Sequence, residues 1–274
     1  MKKKLPLFME KALHHTAVAA VLILIAICGV TILTLAENPS VSAVSHTPAQ
    51  TYSWYYKPRT DGELPICADD APFIENYDNV LYHGKDDSIY LTFDTGYENG
   101  NTEAILDILK EKNVPAAFFV TGHYVKTNPE LVLRMKNEGH LVLNHSLTHA
   151  DLAVASKEKF LEEVEGLSAL YREVTGEDMA KFIRPPEGKY SENFLRYAKE
   201  EGYRVVFWTF AYRDWVNDDQ PSNKEAMETI LSRTHKGMIA LLHSNSAANA
   251  AVLGNVIDEW QSMGFSLKPL TDLS

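Results

Sequence analysis

The sequence has two cysteines in 274 residues, Cys28 and Cys67. Cys28 lies within an apolar run behind Ile27, a poor setting for a lipoprotein box, so Cys67 alone stands in the body of the chain. One cysteine makes no intramolecular disulfide, and the fold must therefore be held by its core. No histidine or basic cluster neighbours Cys67, which leaves a reactive thiol without local support. A Gly-x-Gly-x-x-Gly turn is also missing, which argues against a dinucleotide fold and a nucleotide cofactor. Positive charge is scarce. The formal net charge is -11, and the first 36 residues carry +3 (Lys2, Lys3, Lys4 and Lys11 against Glu10), leaving -14 on the remainder. A body this acidic argues against nucleic acid, whose affinity comes from lysine and arginine on phosphate. There is no internal repeat and no low-complexity tract.

What is present begins with a lysine-bearing n-region at 1–15, read as cytoplasmic, and a charge-free run at 16–36, "TAVAAVLILIAICGVTILTLA". Its 21 residues exceed the roughly 7–15 of a secretory h-region and suit a spanning helix of about 20. The expectation is a single-pass membrane anchor with the long C-terminal part extracytoplasmic. Thr34-Leu35-Ala36 also has the small-residue character of a signal-peptidase site, and cleavage near Ala36 would make the protein secreted. Residues 37–51 read as a linker, 52–87 as a lead-in packed on the domain, and 88–274 as the domain itself.

From Ser88 the chain alternates. Short apolar runs at 88–94, 116–120, 141–144, 181–184, 203–208, 238–243 and 265–270 are separated by helix-period segments at 102–112, 129–138, 157–175, 191–201, 223–234 and 247–263. Asn128, Pro129 and Gly139 supply start and stop signals for one of these helices. Strands apolar on both faces, alternating with helices, indicate an α/β protein with a parallel sheet, either a barrel or an open doubly wound sheet. Without a glycine-rich turn, the barrel is favoured.

Polar residues fall at or just past the C-terminal ends of these runs: Asp94, His145 after Asn144, Arg184, Asp214 with Trp215 a few residues past the fifth run, and His243. In parallel α/β folds those ends open on one face, where active sites are built. Each residue has a bland reading. Asp94 suits a helix cap, Arg184 a buried ion pair, His243 a satisfied core histidine, and Asp214-Trp215 a turn acid and a core aromatic. His145 and His149 have the i, i+4 spacing that puts two imidazoles on one side of a helical turn. Together on one rim they fit metal-assisted hydrolysis. Two imidazoles hold a divalent ion, a carboxylate accepts a proton from water, an arginine keeps that carboxylate ionised, and a second histidine protonates the leaving group.

The segments "TFDTGYENGNT", "FFVTGHYV", "EGHLVLNHSLTH", "FIRPPEGKYS", "FWTFAYRDW" and "ALLHS" occur in an order that resembles the polysaccharide deacetylase (NodB-homology) family. They look most like the delta-lactam-biosynthetic peptidoglycan N-acetylmuramic acid deacetylases of spore formers. The resemblance covers about residues 75–274 and implies a distorted (β/α) barrel of about seven parallel strands. It implies Asp94 as catalytic base, Arg184 as its orienting partner, and His243 as general acid tuned by Asp214. It also implies His145 and His149 as ligands of zinc or a similar divalent ion, the backbone N–H of Glu187 as oxyanion donor, and Trp215 and Leu241 as the wall around the acetyl methyl. Thr95 stands where most of the family has a second aspartate as third metal ligand, and the muramic subgroup also lacks that acid. A neutral hydroxyl is a poor ligand, so the ion is expected to be loosely held.

The expectation is a peptidoglycan N-deacetylase acting on N-acetylmuramic units toward the muramic-lactam of spore cortex. An N-acetylglucosamine deacetylase, an O-acetyl esterase of the same family and an inactive cell-wall-binding protein stand as alternatives. Nothing in the sequence assigns roles to Tyr97, Glu98 or Asn99.

Overall fold

The computed structural model of the chain describes residues 50–273 and, before them, Phe8 alone. The run at 16–36 and nearly all of the 37–51 linker lie outside the described residues. Among those described, no helix is long and apolar enough to cross a membrane.

In chain order, β1 (Thr51–Ser53), β2 (Tyr56–Lys57), β3 (Ile66–Cys67) and β4 (Val80–Leu81) precede β5 (Ser88–Thr95) and α1 (Thr102–Lys112). Then come β6 (Ala117–Val120), α2 (Gly122–Thr127), α3 (Pro129–Asn137), β7 (Leu141–Asn144) and α4 (Lys157–Thr175). The remainder supplies β8 (Phe182–Ile183), β9 (Lys189–Ser191), α5 (Glu192–Glu200), β10 (Arg204–Val206), α6 (Asn223–Ser232), β11 (Met238–His243), α7 (Ala247–Ser262) and β12 (Ser266–Leu267).

Seven strands pair in parallel, in the order β11-β5-β6-β7-β8-β10-β4, as a half-barrel. The central strand β5 shows why its sequence is apolar on both faces. Ile89, Leu91 and Phe93 join the outer core with Ile105 and Leu106 of α1 and Val256 of α7. Tyr90 turns inward to Phe119, Leu143, Val206 and Ile239. Across the open edge, only scattered bonds run between the segment after β10 and β11: Thr209 N–H to Ile239 O at 3.1 Å and Leu241 N–H to Phe210 O at 2.8 Å.

Three sequence expectations change. The apolar run at 265–270 yields only the two-residue β12, which pairs with β5 off the main path. The seventh place belongs instead to β4, within 52–87, a stretch too short and mixed to show a strand period. The six-residue α2 was not expected either; Thr121 caps it, its side chain accepting the Tyr124 N–H, and so short a helix leaves little periodicity to read.

The lead-in is built into the same body. β1 pairs antiparallel with β9, and Trp54 stacks on Phe207 with ring centroids 4.3 Å apart. Burial pushes the Cys67 thiol up to about 12, which keeps it an unreactive packing group. Near the barrel seam the Gly84 N–H donates to Gly237 O at 2.7 Å. A Cβ on Gly237, which has φ +69°, would lie 2.1 Å from the Gly84 carbonyl oxygen. Gly237→Ala should therefore destabilise the fold by about 2 kcal/mol or more, combining a backbone clash with a left-handed residue. Urea denaturation should show a lowered midpoint; an unchanged midpoint would mean that the seam yields freely.

Candidate active site

The register of the sheet assembles the site. Asp94 on β5 lies directly opposite His243 on β11. Thr95, Val120, Asn144 and Ile183 stand in line across β5, β6, β7 and β8, which places His145 and Arg184 one step beyond that row.

Arg184 is fully buried. Its Nη1 donates to Asp94 Oδ1 at 2.8 Å, Nη2 to Thr92 Oγ1 at 2.9 Å, and Nε to Val206 O at 3.3 Å. The guanidinium lies 4.2 Å from the centroid of the Phe119 ring. Burial alone would raise the Asp94 pKa, but the positive charges of His145 when protonated, Arg184 and His243 outweigh it, and the carboxyl is held below its usual range. Asp94 thus caps no helix; α1 begins at Thr102 behind Asn101.

His145 Nδ1–H donates to the Arg184 carbonyl at 2.8 Å, leaving Nε2 3.6 Å from Asp94 Oδ2. Burial, only partly opposed by Asp94, pushes this imidazole down to about 4, so it is neutral near pH 7. The His149 ring centroid lies 5.0 Å from that of His145. No helical turn joins them, contrary to the spacing argument. Residues 145–149 form a loop in which Ser146 (φ 65°) and His149 (φ 58°) are left-handed. Two side chains hold that loop. Asn144 Oδ1 accepts the Ser146 N–H at 2.9 Å, and the buried Glu163 of α4 accepts both the N–H and the hydroxyl of Thr148 at 2.8 and 2.7 Å.

Across the site, His243 Nδ1–H donates to Asp214 Oδ1 at 2.7 Å, and the His243 backbone N–H donates to Oδ2 at 2.9 Å. Asn249 Nδ2 donates to the same Oδ2 at 2.6 Å. Burial pulls the His243 imidazolium down, but the Asp214 carboxylate and, more weakly, Asp94 outweigh it against the opposing Arg184, so its pKa is raised. Its folded-state contribution to stability is therefore full below about pH 6.5 and is lost as pH rises through the raised value.

A cavity of about 840 Å³ opens at this rim, lined by Asp94, Thr95, His145, His149, His243, Trp215, Leu241 and Glu187 among others. Arg184 and Asp214 stand behind the lining, each holding a group that faces it. Glu187, in the turn after the two prolines, has φ 57°. Among the described residues, three of the five non-glycine residues with positive φ, Ser146, His149 and Glu187, thus belong to the loops of this one site.

A family model described as polysaccharide deacetylase matches residues 82–206. The peptidoglycan-N-acetylmuramic acid deacetylase PdaA of Bacillus subtilis is 36% identical over 250 residues, which are 90% of this chain and 94% of that protein. The chain belongs to the polysaccharide deacetylase family. The solved structure of Bacillus subtilis PdaA, a family 4 carbohydrate esterase, matches with a TM-score of 0.79 at 37% identity, covering 82% of this chain and 97% of that one. A family 4 carbohydrate esterase from Bacillus anthracis matches with a TM-score of 0.67 at 39% identity, covering 82% and 96%.

For a polysaccharide deacetylase, the donor set toward a metal is sparse. Among the described residues, no group of three His, Cys, Asp or Glu side chains is placed to hold an ion. The two imidazoles nevertheless fit one. His145 is anchored through Nδ1 on a carbonyl, as ligating histidines are, with Nε2 left free and neutral. The Thr95 hydroxyl is buried and has no hydrogen-bond partner, a neutral oxygen in the place of a carboxylate.

Several residues that build this rim carried no readable signal. Glu163 lies in the interior of a helix, where an acid reads as solvated surface. Glu98 proves to be structural: its carboxylate accepts the N–H groups of Asn99 and Gly100 at 3.1 and 2.6 Å and the Tyr124 hydroxyl at 3.1 Å. Asn99 Nδ2 donates to the Asn245 carbonyl at 2.7 Å.

Thr95→Asp places a buried charge that only a cation can satisfy. Without metal this variant should melt below the native protein, and added zinc should raise its Tm by more than it raises the native one. Equal zinc shifts would mean that Thr95 does not adjoin the ion.

Asp214→Asn removes the carboxylate that raises His243 and leaves burial to dominate. The ring should then titrate below the ordinary value near 6.5, followed by its NMR ring-proton shifts. An unmoved titration would show that Asp214 does not set the charge on His243.

Proposed function

We propose that this polysaccharide deacetylase hydrolyses the acetamide of N-acetylmuramic acid units in peptidoglycan glycan strands. The observation that carries it is the pair of oppositely tuned groups facing one cavity. Asp94 is held ionised by Arg184, and His243 is held protonated by Asp214. Two titratable groups pushed apart in this way are a base and an acid ready for one reaction.

Asp94 takes a proton from water as the oxygen attacks the acetyl carbonyl carbon. The carbonyl electrons move onto oxygen, near the backbone of Glu187 at the turn. His243 then delivers its proton to the amide nitrogen, the C–N bond breaks, and acetate and a free sugar amine leave. Arg184 keeps Asp94 oriented throughout, while Trp215 and Leu241 give the acetyl methyl an apolar wall. A divalent ion held by His145 and His149 would add Lewis acidity toward the water and the acetyl oxygen. An amine leaving group needs protonation more than an alkoxide does, and the built His243–Asp214 pair favours the amide over the O-acetyl ester.

The muramic assignment is supported by likeness to a protein named for that activity over nearly the whole length of both chains. Muramic acid carries a lactyl carboxyl beside its acetamide. The freed amine can close on it intramolecularly to a delta-lactam, as in spore cortex, gaining from proximity. The charge-free run at 16–36 supports a single-pass anchor in the cell membrane with this domain outside, or secretion if the chain is cut near Ala36.

Mass spectrometry of digested, peptide-free glycan strands should show acetyl loss on muramic units, with acetate release falling about 10²–10⁴-fold in Asp94→Asn. Acetyl loss on glucosamine units alone would overturn the muramic assignment. Near-native turnover by Asp94→Asn would overturn the mechanism.

A further inference from the structure

Within residues 50–273 only two Phe, Tyr or Trp side chains are exposed, Tyr97 at 72% and Trp215 at 48%, and both line the same cavity. Isolated surface aromatics need no explanation, but two that converge on one opening while all the others are buried or half-buried do. Trp215 is already read as the wall of the acetyl subsite. Tyr97 has no part in the chemistry above, and nothing in the packing requires it to stand in water.

The turn that carries Tyr97 is built to be rigid. Glu98, next in sequence, accepts N–H groups from Asn99 and Gly100 through one oxygen and the Tyr124 hydroxyl through the other. The phenol ring is braced by the His123 imidazole, with centroids 5.0 Å apart and planes tilted by 49°. The turn is also tied to the loop of Trp215. Asn99 Nδ2 donates to Asn245 O at 2.7 Å and Asn101 Nδ2 to the same oxygen at 3.0 Å. Asn245 Nδ2 in turn donates to the Trp215 carbonyl at 3.1 Å and to Asn217 Oδ1 at 3.0 Å. Side-chain amides therefore fix the spacing of the two aromatics before any ligand arrives.

We propose that Tyr97 is a sugar-stacking platform for a glycan unit next to the one being deacetylated, paired across the cavity with Trp215, so that the enzyme reads a strand rather than a single sugar. A pyranose presents a face of C–H groups, weakly positive and apolar, which suits the negative face of an aromatic ring. A platform fixed in advance loses little conformational freedom on binding, so its contact appears in affinity. The proposal rests on the cavity being a glycan site and says nothing of which sugar is deacetylated.

The test is titration calorimetry on the full-length chain in the non-turnover Asp94→Asn background. The ligands are oligosaccharides of two and six sugars, from peptide-free peptidoglycan and from chitin. The six-sugar ligand should bind more tightly than the two-sugar ligand in at least one series. Tyr97→Ala should weaken the six-sugar ligand about tenfold, equivalent to about 1.4 kcal/mol, while changing the two-sugar ligand by less than about twofold. Tyr97→Phe should retain the long-ligand affinity, because the ring and not the hydroxyl does the stacking. No gain with length in either series, equal losses for both lengths in Tyr97→Ala, or a Tyr97→Phe as weak as Tyr97→Ala would each overturn the platform. Length-dependent binding that is lost in Tyr97→Ala, together with a protein that with Asp94 intact releases no acetate from the same ligands, would sustain the platform and overturn the catalytic reading.

Discussion

A guanidinium sealed inside a half-barrel must be neutralised where it stands, because an unpaired charge there costs several kcal/mol. Arg184 meets this demand by reaching three other strands or their ends. It binds the carboxylate of Asp94 and the hydroxyl of Thr92 on β5 and the carbonyl of Val206 on β10, and it rests against Phe119 of β6. Its own backbone carbonyl then fixes the His145 ring. One residue thus sets the ionisation of the proposed base, the tautomer of a candidate metal ligand and the relative height of neighbouring strands. The bland reading of Arg184 as a buried ion-pair partner and the functional one describe the same contact. Its partner is the group proposed as the base.

The second half of the site obeys the same logic with the sign reversed. Asp214 is buried and takes three hydrogen bonds, two of them from His243, so the ring cannot turn and its charged form is favoured. Neither Arg184 nor Asp214 lines the cavity. Of these two pairs a ligand would meet only Asp94 and His243, which separates the apparatus that sets protonation from the surface that meets the ligand.

The strands β5, β6, β7 and β11 were legible because a parallel strand covered on both faces writes a continuous apolar run, and the polar residue closing each run marks the rim. Two-residue strands write a weaker signal: the run at 181–184 marks β8, but β4 leaves no such run and the run at 265–270 is longer than β12. The His145–His149 spacing was read with a helical period, yet the loop reaches proximity of the two rings through two left-handed residues held by Asn144 and Glu163. Such loops depend on partners distant in sequence, and Glu163 in mid-helix gives no sign of its task. Glu98 and Asn99 were undecided for a similar reason. Their partners, Tyr124 and Asn245, lie on other elements, and only the folded chain shows which polar residues near the rim are scaffold.

The pairing of β1 with β9 places the entry of the chain into the body beside the turn of Glu187. Trp54 N–H donates to the carbonyl of Gly188 at 2.8 Å, and the ladder continues through Tyr52 and Tyr190. Force applied to the polypeptide ahead of Thr51 would therefore be carried first by these few bonds, two residues from a left-handed turn of the cavity wall. That wall is the point of suspension for any pull on this end of the body, and such a load would reach the site before it reached the barrel.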